Sequence, residues 1–432
     1  MSKKKIAVIS LGCPKNHVDT ELMTGFLKAA GDVVFVNNLE DADILIVNTC
    51  GFINPAKEES IEEILNAVEE KKKNPGKKVV VAGCLYQRYK EELKKELPEV
   101  DVFIGVEELE KSVEKILDKQ FQPEKPFLYR EILTLPHFSY LKISEGCSNN
   151  CSYCAIPIIR GSLKSRSEDE IVEEAKLLAD KGVKELYVIA QDTTAYGMDR
   201  GEKNALVDLL NKLERIKSIE WIRLMYTYPS HITEELIDTI AGSEKIVNYL
   251  DVPFQHVSDK ILLSMGRKYS YSFIEELIDR LRDRIPEIAI RSSFIVGYPT
   301  ETENDFEQLV AFLKSKKLDW AGFFKYSREE GTTAYNLGDL PEPLKESRLN
   351  FIEDIQYSIF QEKSGKLVGK EFPLLIDEKS KDMKGYMEAR SYRSAYEIDG
   401  IVYLKGEFTP GKFVKAKITG LANDVDLVAE PV

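Results

Sequence analysis

Cysteine carries the most telling pattern in this chain. Cys147, Cys151 and Cys154 lie in the run Cys147-Ser-Asn-Asn-Cys151-Ser-Tyr-Cys154, a C-x3-C-x2-C spacing. Three thiolates this close can bind three corners of a four-iron cluster, whereas a closed electron-transfer cluster takes four. One iron is then left open to another ligand. A zinc knuckle or three buried thiols would be the alternative uses of such a run. The other three cysteines, Cys13, Cys50 and Cys84, share no local pattern, but each closely follows a β-rich run: Ile-Ser-Leu-Gly-Cys13, Ile-Val-Asn-Thr-Cys50 and Val-Ala-Gly-Cys84. The carboxyl ends of parallel strands lie along one sheet edge, where such sheets place ligands. Three more thiolates can converge there on a second cluster, again with one iron free. Any one of them alone would read as a buried structural cysteine.

The elements that must position these groups follow from the hydrophobic pattern. At 432 residues the chain exceeds one ordinary core, so several domains are expected. Over residues 1–120, β-rich runs at 6–11, 44–47, 79–82 and 102–104 alternate with amphipathic helical patterns, the clearest at 55–73. That alternation predicts an open parallel α/β sheet. A polar, Pro-containing linker spans 121–136. Residues 137–365 hold six further strand candidates, at 140–143, 185–189, 221–225, 249–252, 288–296 and 320–326, with helices between them. Six βα units fall short of the eight in a closed barrel, so a partial (β/α)6 barrel is expected, with the Cys147 loop at the carboxyl end of its first strand. A long helix over 344–363 ends that region. From 366 to 432 the texture changes to short β-rich stretches at 372–376, 401–404 and 413–418 between Gly-containing turns, which predicts a small antiparallel, OB-like β-barrel.

Taken together these segments resemble the radical S-adenosylmethionine (SAM) methylthiotransferase family across nearly the whole chain. The C-x3-C-x2-C run with Tyr153 before its last cysteine is similar to the radical-SAM signature. Ser10-Leu-Gly-Cys-Pro-Lys-Asn-His17, Asn48-Thr-Cys-Gly-Phe-Ile53, Gly83-Cys-Leu-Tyr-Gln87 and Lys142-Ile-Ser-Glu-Gly-Cys147 resemble the RimO branch. The resemblance implies a cluster-binding N-terminal domain, a radical-SAM barrel and a C-terminal TRAM module. It implies two 4Fe-4S clusters, one on Cys147, Cys151 and Cys154 and one on Cys13, Cys50 and Cys84, all six cysteines serving catalysis. SAM chelates the open iron of the first, beside Tyr153, and is split reductively to a radical that takes hydrogen from the target carbon. The second cluster holds a sulfur that another SAM methylates. An unactivated C–H bond has no useful acidity, which is why a cofactor-borne radical is required. The branch modifies the β-carbon of an aspartate in the twelfth small-subunit ribosomal protein; the alternative branch modifies a transfer-RNA adenosine. An electron donor and a sulfur donor are implied as well.

Further polar positions at predicted strand ends are candidates for the SAM cavity: Gln191, Gln255 and Gly297, the glycine permitting close approach to the adenine. Arg223 and Arg267 are candidate partners for a carboxylate of SAM or substrate. His17 lies in the Cys13 loop and His256 beside Gln255, and neither has the paired spacing of a zinc site. The formal net charge of −13 argues against a surface that tracks phosphate. Residues 366–432 contain eleven Lys plus Arg and eleven Asp plus Glu, so the module has no excess cation for RNA. A basic ribosomal protein is the favoured partner and transfer RNA the disfavoured one. The module is therefore expected to serve substrate binding, so that its deletion costs substrate modification more than SAM cleavage. No stretch approaches the roughly 18 apolar residues of a membrane span, and a cytoplasmic protein is expected.

Overall fold

In a computed structural model, which describes residues 3–423 and 425–432, the chain forms two compact units. The first comprises the residues up to Leu133 together with Glu145–Lys164 and Ser327–Tyr335. Its sheet contains β1 (Lys4–Ser10), β2 (Val33–Phe35), β3 (Ile44–Thr49), β4 (Lys78–Gly83) and β5 (Val102–Ile104), all parallel, in the order β2-β1-β3-β4-β5. Every residue of β3 is buried, as the near-continuous apolar run of a doubly covered parallel strand requires. One face of the sheet packs Ile6, Ile44, Ile46 and Val80 on Met23, Phe26 and Leu27 of α1 (Pro14–Ala29). The other packs Leu45, Val47, Val79 and Val81 on Ile64, Ala67 and Val68 of α2 (Asn54–Lys73). Strand β2, a three-residue edge with Val34 and Phe35 exposed, has too short a pattern to be read from sequence.

The second unit comprises Thr134–Ser144, Ser165–Tyr326 and Asn336–Val432. Its large sheet is parallel and runs in chain order: Phe138–Lys142, Glu185–Ile189, Trp221–Leu224, Ile246–Asp251, Ala289–Val296 and Trp320–Lys325, each paired with the next. This is the open six-stranded partial barrel. After the long helix Glu342–Gly365 comes a closed five-stranded barrel, in which Glu371–Lys379, Tyr386–Arg390, Val402–Lys405, Leu427–Pro431 and Phe413–Leu421 follow one another around the wall. Its pairings are antiparallel except that Val402–Lys405 and Leu427–Pro431 run parallel. Of these strands, Tyr386–Arg390 and Leu427–Pro431 carried no clear sequence signal.

The small barrel is locked to the large sheet within this unit. Glu185, fully buried, accepts from Arg223 Nε at 2.8 Å and from Arg390 Nη1. Arg390 in turn holds Asp377 with Nε at 2.8 Å and Nη2 at 3.0 Å, and Asp377 meets His137 Nε2 at 2.7 Å. Both tryptophans lie in the same contact: Trp221 packs edge-on to Phe413 with ring centres 4.8 Å apart, and Trp320 Nε1 donates to the Arg393 carbonyl at 2.6 Å. Arg223 is thus committed to an internal ion network and to the Tyr392 carbonyl, 2.7 Å away, which corrects the reading of it as a carboxylate ligand. Arg267 is likewise engaged, its guanidinium 4.3 Å from the ring centre of Tyr228 and its Nε donating to Tyr269 Oη at 2.5 Å.

The expectation that deleting the module would spare SAM cleavage more than modification meets the same network. Removing residues 366–432 would take Arg390 from Glu185, the Tyr392 carbonyl from Arg223 and Asp377 from His137, so truncation unsettles the large sheet as well as the module. Breaking a buried pair from one side leaves an uncompensated charge and costs about 3–5 kcal/mol. Glu185→Ala is therefore expected to lower the unfolding free energy by that amount and the denaturant midpoint with it, with tryptophan fluorescence, which reads the barrel contact, changing at the same midpoint as far-UV circular dichroism. Unaltered stability would show that the network contributes nothing.

Candidate active site

Register sets the first group of cysteines. Ser10 of β1 lies opposite Asn48 of β3, and Asn48 and Thr49 lie opposite Ala82 and Gly83 of β4. The three strands therefore end level. Cys13 caps the start of α1, Cys50 follows Thr49 directly, and Cys84 opens the short helix α3 (Cys84–Arg88). The loops meet closely. A Cβ on Gly12, whose φ is +85°, would stand 2.8 Å from Cys50 Cβ and 3.0 Å from its Sγ, and one on Gly51 would stand 2.8 Å from the Cys84 carbonyl oxygen.

Asparagines hold these loops. Asn16 Nδ2 donates to the carbonyls of Leu11 at 2.7 Å and Thr49 at 3.3 Å, and Asn48 Nδ2 donates to the Asn16 carbonyl at 2.9 Å and to Thr20 Oγ1 at 2.7 Å. The Ser60 hydroxyl accepts from Cys50 N at 2.9 Å and donates to Cys50 O at 3.0 Å. Asn16 and Asn48 fall inside the quoted motifs, yet their role as ties depends on strand register and was not foreseen.

The second group sits in the segment Glu145–Lys164, which belongs to the first compact unit. Gly146, at φ +71°, leaves no room for a Cβ, which would lie 2.1 Å from the Ser162 carbonyl oxygen. Cys147 N donates to the Gly161 carbonyl at 3.1 Å and Cys154 N to the Cys151 carbonyl at 3.1 Å, closing the loop on itself. Tyr153 is half-buried within it. Ala155 and Ile159 then pack on Cys84 in one small apolar cluster.

Arg160, at the end of the helix Ile156–Arg160, is the residue that sequence reasoning missed. It is buried and spans the two cysteine groups: Nη2 lies 3.1 Å from Cys84 Sγ, 2.9 Å from Asp19 Oδ2 and 3.4 Å from Asn16 Oδ1, while Nη1 donates to Glu145 Oε1 at 3.0 Å. Arg88 closes the other side of the Cys50 loop, donating to the Gly51 carbonyl at 2.9 Å and to Glu329 at 2.6 Å, where Lys57 also binds at 2.8 Å.

The thiols are not equivalent. Burial pushes Cys13 up, but Lys15, Arg160 and the backbone N–H groups of Asn16 and Lys15 together bring it below its ordinary value; a thiol at a helix N-terminus beside cations is the expected case. Burial pushes Cys84 up to about 12 despite Arg160, and raises Cys50. Among the described residues no group of three His, Cys, Asp or Glu side chains could hold a single metal ion. A four-iron cluster spreads its thiolates over separate irons, and level strand ends carrying three thiols beside a cation provide that kind of donor set.

Of the remaining candidates, Gln191, Gln255, Gly297 and His256 lie in the second unit and His17 in the first. Gln191 follows the strand Glu185–Ile189, and Gln255, at φ +71°, bridges to Phe294. Gly297 is crowded by Lys345, whose Cγ would lie 2.3 Å from an added Cβ, so its close approach is to this chain's own side chain. His256 is fully buried, and its Nδ1 accepts from Ser258 N at 3.0 Å. His17 pairs with Glu21 at 3.5 Å; burial raises the Glu21 carboxyl, but Arg130 at 2.5 Å and His17 hold it below its usual range.

Known families and relatives cover this chain from end to end. Residues 5–105 match the uncharacterized protein family UPF0004, residues 141–313 the Radical SAM superfamily and residues 368–432 the TRAM domain. The ribosomal protein uS12 methylthiotransferase RimO of Aquifex aeolicus is 48% identical over 98% of this chain and 96% of its own length, and that of a Sulfurihydrogenibium species is 46% identical over the whole of both. The chain belongs to the RimO family. RimO proteins are radical-SAM methylthiotransferases that work with SAM and 4Fe-4S clusters. Among solved structures, the radical SAM methyltransferase TsrM of Kitasatospora setae superposes with a TM-score of 0.58 at 15% identity over 77% of each chain, a likeness of fold alone.

Two outcomes follow from the site. Gly12→Ala forces a left-handed residue to carry a Cβ against Cys50, and is expected to remove the iron held by the N-terminal group, roughly half of the total if each of two clusters holds four irons; iron and sulfide assays on anaerobically reconstituted protein check this. The second concerns acid. Burial holds the pKa of His256 down to about 3, against about 6.5 unfolded. The unfolded chain takes up this proton first, so stability present above pH 6.5 is lost as pH falls toward 3, roughly 2 kcal/mol of it by pH 5. His256→Gln should abolish that part of the slope in unfolding midpoints measured between pH 7 and 5.

Proposed function

We propose that this protein methylthiolates the β-carbon of an aspartate in ribosomal protein uS12, using clusters on Cys13, Cys50, Cys84 and on Cys147, Cys151, Cys154. The reading rests on one observation above all: relatives named for this reaction are 46–48% identical over nearly the full length of this chain, in which both cysteine groups fall in one compact unit. When bound, the clusters and SAM supply the one-electron chemistry and the methyl group that an unactivated C–H bond demands.

The chain's own residues do the rest. Asn16, Asn48 and Ser60 hold the Cys13 and Cys50 loops together, Arg160 reaches Cys84, and Gly146 lets the Cys147 loop fold back on Gly161 and Ser162. Tyr153, Gln191 and Gln255 are the candidate SAM contacts; Gly297 is crowded by Lys345 instead. We read the chain as a methylthiotransferase domain over 1–120, a linker over 121–136, a radical-SAM barrel over 137–365 and a TRAM barrel over 366–432. An external electron donor and a sulfur donor complete the system, in the cytoplasm where ribosomal proteins reside. No helix among the described residues is long and apolar enough to cross a membrane.

Charge supports the protein substrate over transfer RNA. A net −13 and a charge-neutral TRAM module suit a basic protein and lack the cation excess that phosphate binding needs. The deciding experiment incubates the enzyme anaerobically with SAM, reductant and sulfide, together with uS12 and transfer RNA, and measures the mass of both. Methylthio mass on uS12 alone is expected. A modified adenosine with unmodified uS12 would overturn the substrate assignment.

A further inference from the structure

Arg160 makes a contact that neither folding nor charge balance demands. A guanidinium buried to 6% exposure needs opposite charge, and Asp19 at 2.9 Å and Glu145 at 3.0 Å supply it. With those two pairs made, Nη2 still points at Cys84 Sγ, 3.1 Å away, a distance at which N–H donates to sulfur. The contact is fixed from both directions. Ala155 and Ile159 of the same segment pack on Cys84, and Asn16, which ties the Cys13 and Cys50 loops, has its Oδ1 3.4 Å from the same nitrogen.

We infer that Arg160 is a positioning residue for the N-terminal cluster, donating a hydrogen bond to the Cys84 thiolate and thereby raising the reduction potential of that cluster. The inference rests on the proposed reading of Cys84 as a ligand. Hydrogen bonds to ligand sulfur and nearby positive charge both favour the more negative, reduced state, and they are among the terms that set cluster potentials. The donor comes from the segment that carries Cys147, Cys151 and Cys154, so the loop of one cysteine group tunes the electron affinity of the other. A higher potential lets the N-terminal cluster accept an electron more readily, so this contact bears on how reducing equivalents divide between the two clusters.

The test uses the full chain with Cys147, Cys151 and Cys154 replaced by Ala, so that only the N-terminal cluster titrates, and reads its reduction by EPR-monitored potentiometry. Adding Arg160→Gln should keep the iron but cut the reduced-to-oxidised ratio at a fixed potential about tenfold, a downward shift of about 59 mV for a one-electron couple. Arg160→Lys, which keeps a charge for Asp19 and Glu145 but loses the planar fork, should fold and shift the same way by less. Retained iron with an unmoved potential in either variant overturns the inference. So does a folded Arg160→Gln chain without iron, which would make Arg160 an assembly residue instead. Should Arg160→Gln fail to fold, Arg160→Lys alone decides by its potential. Absence of iron from the parent triple variant, with Arg160 intact, would instead defeat the cluster assignment itself.

Discussion

Fixed register between parallel strands is the constraint on which the site depends. Residues 10, 48 and 82 stand side by side because β1, β3 and β4 pair in one register. A slip of one residue would turn each buried β3 side chain to the opposite face of the sheet and move Cys50 away from Gly12. The apolar faces against α1 and α2 make such a slip expensive. Cysteines that are 37 and 34 residues apart in sequence thus need no local motif; the core positions them.

A second constraint is the burial of cations. Arg160 in the first unit and Arg223 and Arg390 in the second are almost wholly removed from water, and each is held in direction by at least one buried carboxylate. Buried ion networks of this kind add little net stability relative to apolar packing, but they tolerate few geometries. In the second unit that selectivity joins the small barrel to the large sheet. In the first it directs a donor at a cysteine sulfur.

Most of the fold was legible because it is written locally. The long apolar runs of β3 and β4, the six strands of the large sheet and the helix ending at Gly365 all follow from periodicity and length, and the six cysteines from spacing and strand ends. What escaped depends on partners distant in the chain. Strand β2 is too short to leave a pattern. Tyr386–Arg390 and Leu427–Pro431 are recognisable only once the barrel closes around them. Arg223 and Arg267, as charged residues of the predicted barrel, resemble ligands until Glu185, Tyr228 and Tyr269 are seen to occupy them. Arg160 looks like an ordinary helix-terminal cation, and nothing within the segment announces Asp19 or Cys84 as its neighbours.

The contact between Arg160 and Cys84 bears on how such chains can be recombined. Family boundaries fall at residues 5–105 and 141–313, as though two modules had been joined end to end. The compact unit ignores that seam and takes Glu145–Lys164 from the second module into the first. A chimaera joined in the linker would pair one parent's Asn16, Asp19 and Cys84 with the other parent's Ala155, Ile159 and Arg160, and would work only where those six positions are compatible. They form a single heritable block that lies across the apparent domain border.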